Sequence, residues 1–297
     1  MSTAAGSRPI VVGVDGSPAS RVAVDWAARD ASLRGVPLKL VQVLNPPVVM
    51  VFPEVPMPPG YLEWQQSEGQ ALLDAAKATA LEAAPDLEVT TEMVSGPSIP
   101  TLVEQSRDAE MLVVGCRGRG AIARRLLGSV SSGLIHHAFG PVAVIHDEDP
   151  TIPHPAKAPV VVGVDGSPAS VDALEIAFEE ASLRGVDLLA VHAWSDDAVF
   201  EFPGTDWSTL QEMGEETLSE RLAGWQERYP DVLVRRLVVT DRPAHQLIEQ
   251  SAEAQLLVVG SHGRGGFAGM LLGSVSTSVV QAAKVPVIIA RPRPKAD

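Results

Sequence analysis

The decapeptide VVGVDGSPAS stands at Val11–Ser20 and again at Val161–Ser170. A second block, LLGSVS, occurs at Leu126–Ser131 and at Leu271–Ser276. A spaced glycine pattern accompanies each copy: Gly115, Gly118 and Gly128-Ser129 in the first half, and Gly260, Gly263 and Gly273-Ser274 in the second. Self-similarity of this extent means two copies of one domain. The shared blocks are short, polar and glycine-rich. Turns of that kind, held by a scaffold, are where binding residues concentrate. The repeat therefore predicts two copies of one ligand site.

The local reading follows from the decapeptide outward. Ile10–Val14 is a β-branched apolar run, which reads as a buried strand. Ser17 and Pro18 then form an N-cap followed by proline at the first helical position. Apolar residues continue at helical spacing to Gly35, a stop signal. Further strands are expected at Leu38–Val43, Leu87–Val94, Met111–Gly115 and Pro141–His146. Helices are expected at Tyr61–Ala84, Ile99–Ala109 and Ser129–Phe139, with a proline-rich loop over Asn45–Gly60. The second half repeats this order from Val160 to Arg291. Strands alternating with helices give an α/β fold: two tandem domains, each a five-stranded parallel sheet with helices on both faces. The domains are placed at residues 1–148 and 159–297, joined by a proline-rich linker at 149–158.

Composition bounds the function. The chain has 297 residues, 45% hydrophobic and 20% charged, as in an ordinary globular protein. Its formal net charge of -14 disfavours nucleic acid and anionic membranes as partners, because both select basic surfaces. No apolar run reaches the ~18–20 residues that cross a bilayer. MSTAAGSRPI at the start lacks the order of a secretion signal. One cysteine, Cys116, permits no internal disulfide. These features lead to the expectation of a cytoplasmic protein.

Ligands of open parallel sheets bind beyond the carboxyl ends of the strands, where the strand order reverses. Two segments leave such ends: Asp15-Gly16-Ser17 after the first strand, and Gly115 to Ser131 after the fourth. Glycines let backbone N–H groups face an anion. The helix opening at Gly128-Ser129-Val130-Ser131 adds a positive dipole end. Together these suit a polyphosphate, with Arg119 and Arg125 adding charge in the first half and Arg264 in the second. No Walker A sequence and no dinucleotide fingerprint is present. Asp15 would repel phosphate, so its expected partners are ribose hydroxyls, a base or a metal ion. It also reads, by itself, as a residue of a helix-starting turn.

Both halves resemble the universal stress protein family in its tandem form, over nearly the whole chain. The resemblance rests on Asp15 and Asp165 and on the glycine signature in both halves. It implies a Rossmann-like fold of the adenine-nucleotide-hydrolase type and one ATP per domain, with Mg2+ held by the phosphates. It also implies a homodimer paired through the last strands, and a regulatory role in stress, dormancy or growth. By that implication Gly13, Val14, Asp15 and Val43 flank adenine and ribose. Gly115, Cys116, Arg117, Gly118, Arg119, Gly120, Ala121 and Arg125, with Gly128, Ser129, Val130 and Ser131, surround the phosphates. Gly163, Val164 and Asp165 repeat the first group; Gly260, Ser261, His262, Gly263, Arg264 and Gly265, with Gly273, Ser274, Val275 and Ser276, repeat the second. Asp196 is expected to reach a ribose in the second site alone.

The halves also differ. Cys116 stands where the second half has Ser261, and Arg125 where it has Met270. His136-His137 reads as a packed or solvated pair, because adjacent helical residues point apart. Trp225 and Tyr229, four apart on an expected helix, read as packing. A slow ATP hydrolase or autophosphorylating enzyme remains the alternative, although no catalytic lysine or general base is recognisable. A pure scaffold with vestigial sites is the third reading.

Overall fold

The computed structural model describes residues 7–45, 59–118, 127–146, 157–194, 207–240, 242–263 and 272–293. It divides into two compact units, one carrying the chain up to Asp147 and the other Glu148–Pro292.

Unit 1 begins with β1 (Ile10–Val14), α1 (Pro18–Arg34) and β2 (Leu38–Leu44). There follow α2 (Tyr61–Ala83), β3 (Val89–Ser95) and α3 (Ser98–Gln105), then β4 (Met111–Gly115), α4 (Ser129–His137) and β5 (Val142–Ile145). All strand pairs are parallel, in the order β3-β2-β1-β4-β5. The order reverses between β1 and β4, whose residues Ile10 and Met111 are in register. The two segments singled out in the sequence therefore leave neighbouring strand ends.

Unit 2 repeats the plan with β6 (Val160–Gly163), α5 (Pro168–Arg184), β7 (Leu188–Trp194), α6 (Trp207–Leu222) and α7 (Trp225–Arg228). It closes with β8 (Val234–Thr240), α8 (Pro243–Ser251), β9 (Leu256–Gly260), α9 (Ser274–Ala282) and β10 (Val287–Ala290). Its parallel order is β10-β9-β6-β7-β8. Each unit is thus a Rossmann-like α/β domain.

Helices cover both faces of each sheet. Along β2, Leu44 lies against Gly69 of α2, while Lys39, on the opposite face, reaches Gln105 of α3. Strands covered on both sides need continuous apolar runs. Accordingly Met111–Val114 and Leu256–Val259 are buried throughout. The N-cap at Ser17 and the stop at Gly35 form as the sequence demands: Ser17 accepts from Ser20 N–H, and Gly35 takes the left-handed conformation at φ 65°.

Several boundaries differ from expectation. The third strand starts at Val89 rather than Leu87. The helix expected to Ala109 ends at Gln105 and tightens into a 3-10 turn, Ser106–Asp108. The Ser106 hydroxyl there donates to the Val103 carbonyl, a local bond that competes with the helical ladder. The helix expected to Phe139 ends at His137, just before Gly140-Pro141. Tyr229 lies just beyond α7 rather than within it, because Pro230 disfavours helical backbone in the residue before it. Its ring still packs: Phe178 of α5 stacks with both Trp225 and Tyr229, at 5.6 and 5.7 Å between ring centroids.

Candidate nucleotide site

The turn after β1 is set by one glycine. Gly16 has φ 76° and Gly166 φ 81°, a left-handed geometry that strains other residues. This reversal lets the Asp15 carboxylate accept from the Ser17 N–H at 2.9 Å, and Asp165 accept from Ser167 N–H at the same distance. Both aspartates therefore do belong to a helix-starting turn. Their second oxygens meet the other segment. A side chain built on Gly118 would place its Cβ 2.7 Å from Asp15 Oδ2, and one on Gly263 the same distance from Asp165 Oδ2. The carboxylate and the glycine loop close on each other, and a side chain at the glycine would have to push the carboxylate aside.

A second link joins the two segments. The Ser17 hydroxyl donates to the Arg117 carbonyl at 3.3 Å, and Ser167 to the His262 carbonyl at 3.4 Å. Neither serine stood among the expected site residues. Their N-cap role masked a second one, which only the spatial neighbourhood of β1 and β4 reveals.

Gly115 and Gly260 serve packing. A Cβ on Gly115 would lie 2.7 Å from the carbonyl carbon of Ala19, and one on Gly260 2.8 Å from the Ala169 oxygen. The strand ends thus press directly on the first turns of α1 and α5. Gly13 and Gly163 lie under Leu102 and Leu247, where a Cβ would approach to 3.2 and 3.1 Å. Val14 and Val164 are buried next to the aspartates. Val43 lies on β2, two residues beyond Val41, the partner of Gly13.

After β4 the chain leaves and returns at one point. Cys116 N–H donates to Ile145 O, and the Cys116 carbonyl accepts from Gly128 N–H at 2.8 Å and from the Ser131 hydroxyl at 2.9 Å. In unit 2, Ser261 N–H donates to Ala290 O, and Ser261 O accepts from Gly273 N–H at 2.8 Å. Ser276 donates instead to Gly260 O at 2.6 Å. The hydroxyls of Ser131 and Ser276 are thus buried and directed at backbone carbonyls, where they close the loop. Cys116 and Ser261 are themselves buried.

The helices that follow have no side-chain cap. Gly128 and Gly273 occupy the N-cap positions of α4 and α9 without a side-chain hydrogen bond to the first turn. Ser129 and Ser274, next in line, are exposed. An uncapped helix start carries unsatisfied N–H groups and partial positive charge, which favours an anion. Arg119, Gly120, Ala121, Arg125, Asp196, Arg264 and Gly265 lie outside the described residues.

Three other expectations bear on the surroundings. His136 and His137 sit side by side at the end of α4, with ring centroids 6.3 Å apart. No group of three or more His, Cys, Asp or Glu side chains suited to a metal ion occurs among the described residues. None of the described helices is long and apolar enough to cross a membrane.

Comparison with known proteins agrees with the duplicated geometry. The universal stress protein family matches residues 6–146 and again 158–291. A universal stress protein of Mycobacterium tuberculosis is 57% identical over 295 residues, 98% of this chain and 99% of the relative. One from Mycobacterium bovis is 56% identical over 285 residues, 95% of this chain and 96% of the relative. The crystal structure of a universal stress protein from Archaeoglobus fulgidus superposes with a TM-score of 0.70 at 23% identity, covering 98% of both chains, which shows the common fold. The chain therefore belongs to the universal stress protein family, as a tandem member with two such domains in one polypeptide.

Proposed function

We propose that each unit binds one ATP and that the bound state makes the protein a cytoplasmic regulator of stress response, dormancy or growth. The observation carrying this reading is the meeting of two segments at the switch point between β1 and β4, and again between β6 and β9. In each, a carboxylate lies against a glycine at which a side chain would displace it, and an uncapped helix start stands beside them. The carboxylate suits ribose hydroxyls, and the backbone N–H groups suit phosphates. Mg2+ would travel with the phosphates. Family membership supports the same reading.

The test is to purify the protein from cells, denature it, and identify and count the released nucleotide. One ATP per unit is the expected result. ADP or AMP alone would point to turnover and revive the enzyme reading. A protein that is empty and takes up no added ATP would leave a scaffold. Gly118→Asp combined with Gly263→Asp places a second carboxylate against Asp15 and Asp165. It is expected to abolish ATP binding while the far-ultraviolet circular dichroism stays native. Wild-type affinity in that folded variant would remove these loops from the site.

A further inference from the structure

The two crevices share their backbone but differ in the charge that they carry. Between the first two signature glycines, unit 1 has Cys116-Arg117 and unit 2 has Ser261-His262. The α-carbons of Arg117 and His262 occupy the same place. Each lies 3.5 Å from where a Cβ on the following N-cap glycine, Gly128 or Gly273, would stand. Both side chains therefore start at the uncapped helix end that the proposed phosphates would meet. Arginine stays charged at every physiological pH. Histidine is the side chain whose charge changes between pH 5 and 8. The imidazole of His262 is also held: its Nδ1 lies 3.0 Å from the Ser261 hydroxyl, which is buried. Cys116 offers unit 1 only a weak thiol at that place.

We propose that His262 sets the nucleotide affinity of unit 2 according to pH, while Arg117 keeps unit 1 constant, so that one chain carries a fixed site and a proton-sensitive one. This rests on the nucleotide reading above. A protonated imidazole would add a positive charge and a second N–H at the helix end that the proposed phosphates would meet. Binding at unit 2 therefore strengthens as pH falls and takes up protons. The charged group nearest in the β6–α5 turn is Asp165, whose carboxylate abuts Gly263, the residue after His262. Asp15 abuts Gly118 beside Arg117 in the same way, so the carboxylate's influence is common to both sites. The first turn of α9, Ser274 to Thr277, carries no charge. Arg264 follows in the chain, outside the described residues. Protonation of the nucleotide's own phosphate also weakens binding at low pH, but it does so at both sites and cancels in their comparison.

The experiment uses the full chain with one site closed at a time. Gly118→Asp leaves unit 2 open, and Gly263→Asp leaves unit 1 open. Magnesium-ATP is titrated by calorimetry at pH 6 and pH 8, in two buffers that differ in ionisation enthalpy. From pH 6 to pH 8, affinity at unit 2 should fall about fivefold more than at unit 1, the scale of one partly exposed ion pair. Unit 2 alone should show proton uptake. His262→Arg in the Gly118→Asp background should hold pH 6 affinity at pH 8, and His262→Gln should show pH 8 affinity at both. Equal pH profiles at the two sites, or a profile unchanged by His262→Arg, would overturn the inference. Absence of ATP binding at either site at any pH would instead overturn the nucleotide reading, and with it this one.

Discussion

The two units reach the same crevice by packing their outer helices differently. In unit 1, α2 runs unbroken for 23 residues, and the residue of α1 at position 28 is a fully buried alanine. In unit 2 the corresponding residue of α5 is Phe178, also fully buried, and α6 stops after 16 residues. Gly224, left-handed at φ 82°, then redirects the chain into the four residues of α7, and Trp225 within it and Tyr229 just beyond it stack on the Phe178 ring. One bulky ring in α5 has been accommodated by a broken partner helix. The lesson is that the catalogue of outer-layer contacts can be rewritten while the strand ends and first helical turns keep one geometry.

The sharpest way to break this comparison is to exchange the central residues. Phe178→Ala should destabilise unit 2 by about 3–5 kcal/mol, since it empties a stacked, fully buried ring site. The reverse change, Ala28→Phe, should destabilise unit 1 through overpacking, by about 1–3 kcal/mol. Urea unfolding with hydrogen exchange of α1 and α5 would assign each loss to its unit. If Phe178→Ala left α5 protection unchanged, the stack would be incidental.

A smaller effect separates the two N-caps. Ser17 accepts from the Ser20 N–H at 3.1 Å, whereas Ser167 makes no side-chain cap bond. Ser17→Ala should therefore cost about 1 kcal/mol and Ser167→Ala less than half of that. Equal losses in urea titrations would show that the shared link to the loop carbonyl, rather than the cap, dominates at both serines.

The smallest expected effect concerns one charge. Asp172 stands in α5 where α1 has Val22. Burial raises its carboxyl above the usual range, with Glu175 nearby adding to the rise. A raised carboxylate pKa means that the fold prefers the protonated form. Asp172 thus leaves stability intact below the ordinary carboxylate range and weakens it as pH rises through the raised value. Asp172→Asn should stabilise unit 2 by about 0.5 kcal/mol or less at pH 7, with the gain gone in acid. A gain of the same size at acidic pH would exclude the charge as its cause.

The sequence disclosed those parts that depend on local chemistry. Ser17-Pro18 and Gly35 bounded α1 because caps and stops are properties of single residues and their neighbours. The neighbourhood of Asp15 and the glycine loop followed from strand order alone, once β1 and β4 were placed side by side. What stayed hidden depended on through-space distance. Gly115 looked like a ligand-facing glycine, yet the pressure of Ala19 already demands it. Ser131 looked like a phosphate partner, yet its hydroxyl reaches the Cys116 carbonyl fifteen residues back. Trp225 and Tyr229 read correctly as packing, but nothing in their spacing named Phe178 as the surface beneath them.

The return of each loop to its own point of departure has an engineering consequence. In both units the residue after the fourth strand anchors the N–H of the glycine at the next helix start, through a single carbonyl. The point of departure and the point of return are thereby fastened to each other as a socket. Loop closure changes only slowly with length. Just inside the socket, Arg117 and Gly118 stay tied to Ser17 and Asp15, as His262 and Gly263 are to Ser167 and Asp165, so an exchange between the units must keep these contacts. Duplication followed by divergence would find in this socket a place to give two sites different ligands or different triggers on one unchanged frame.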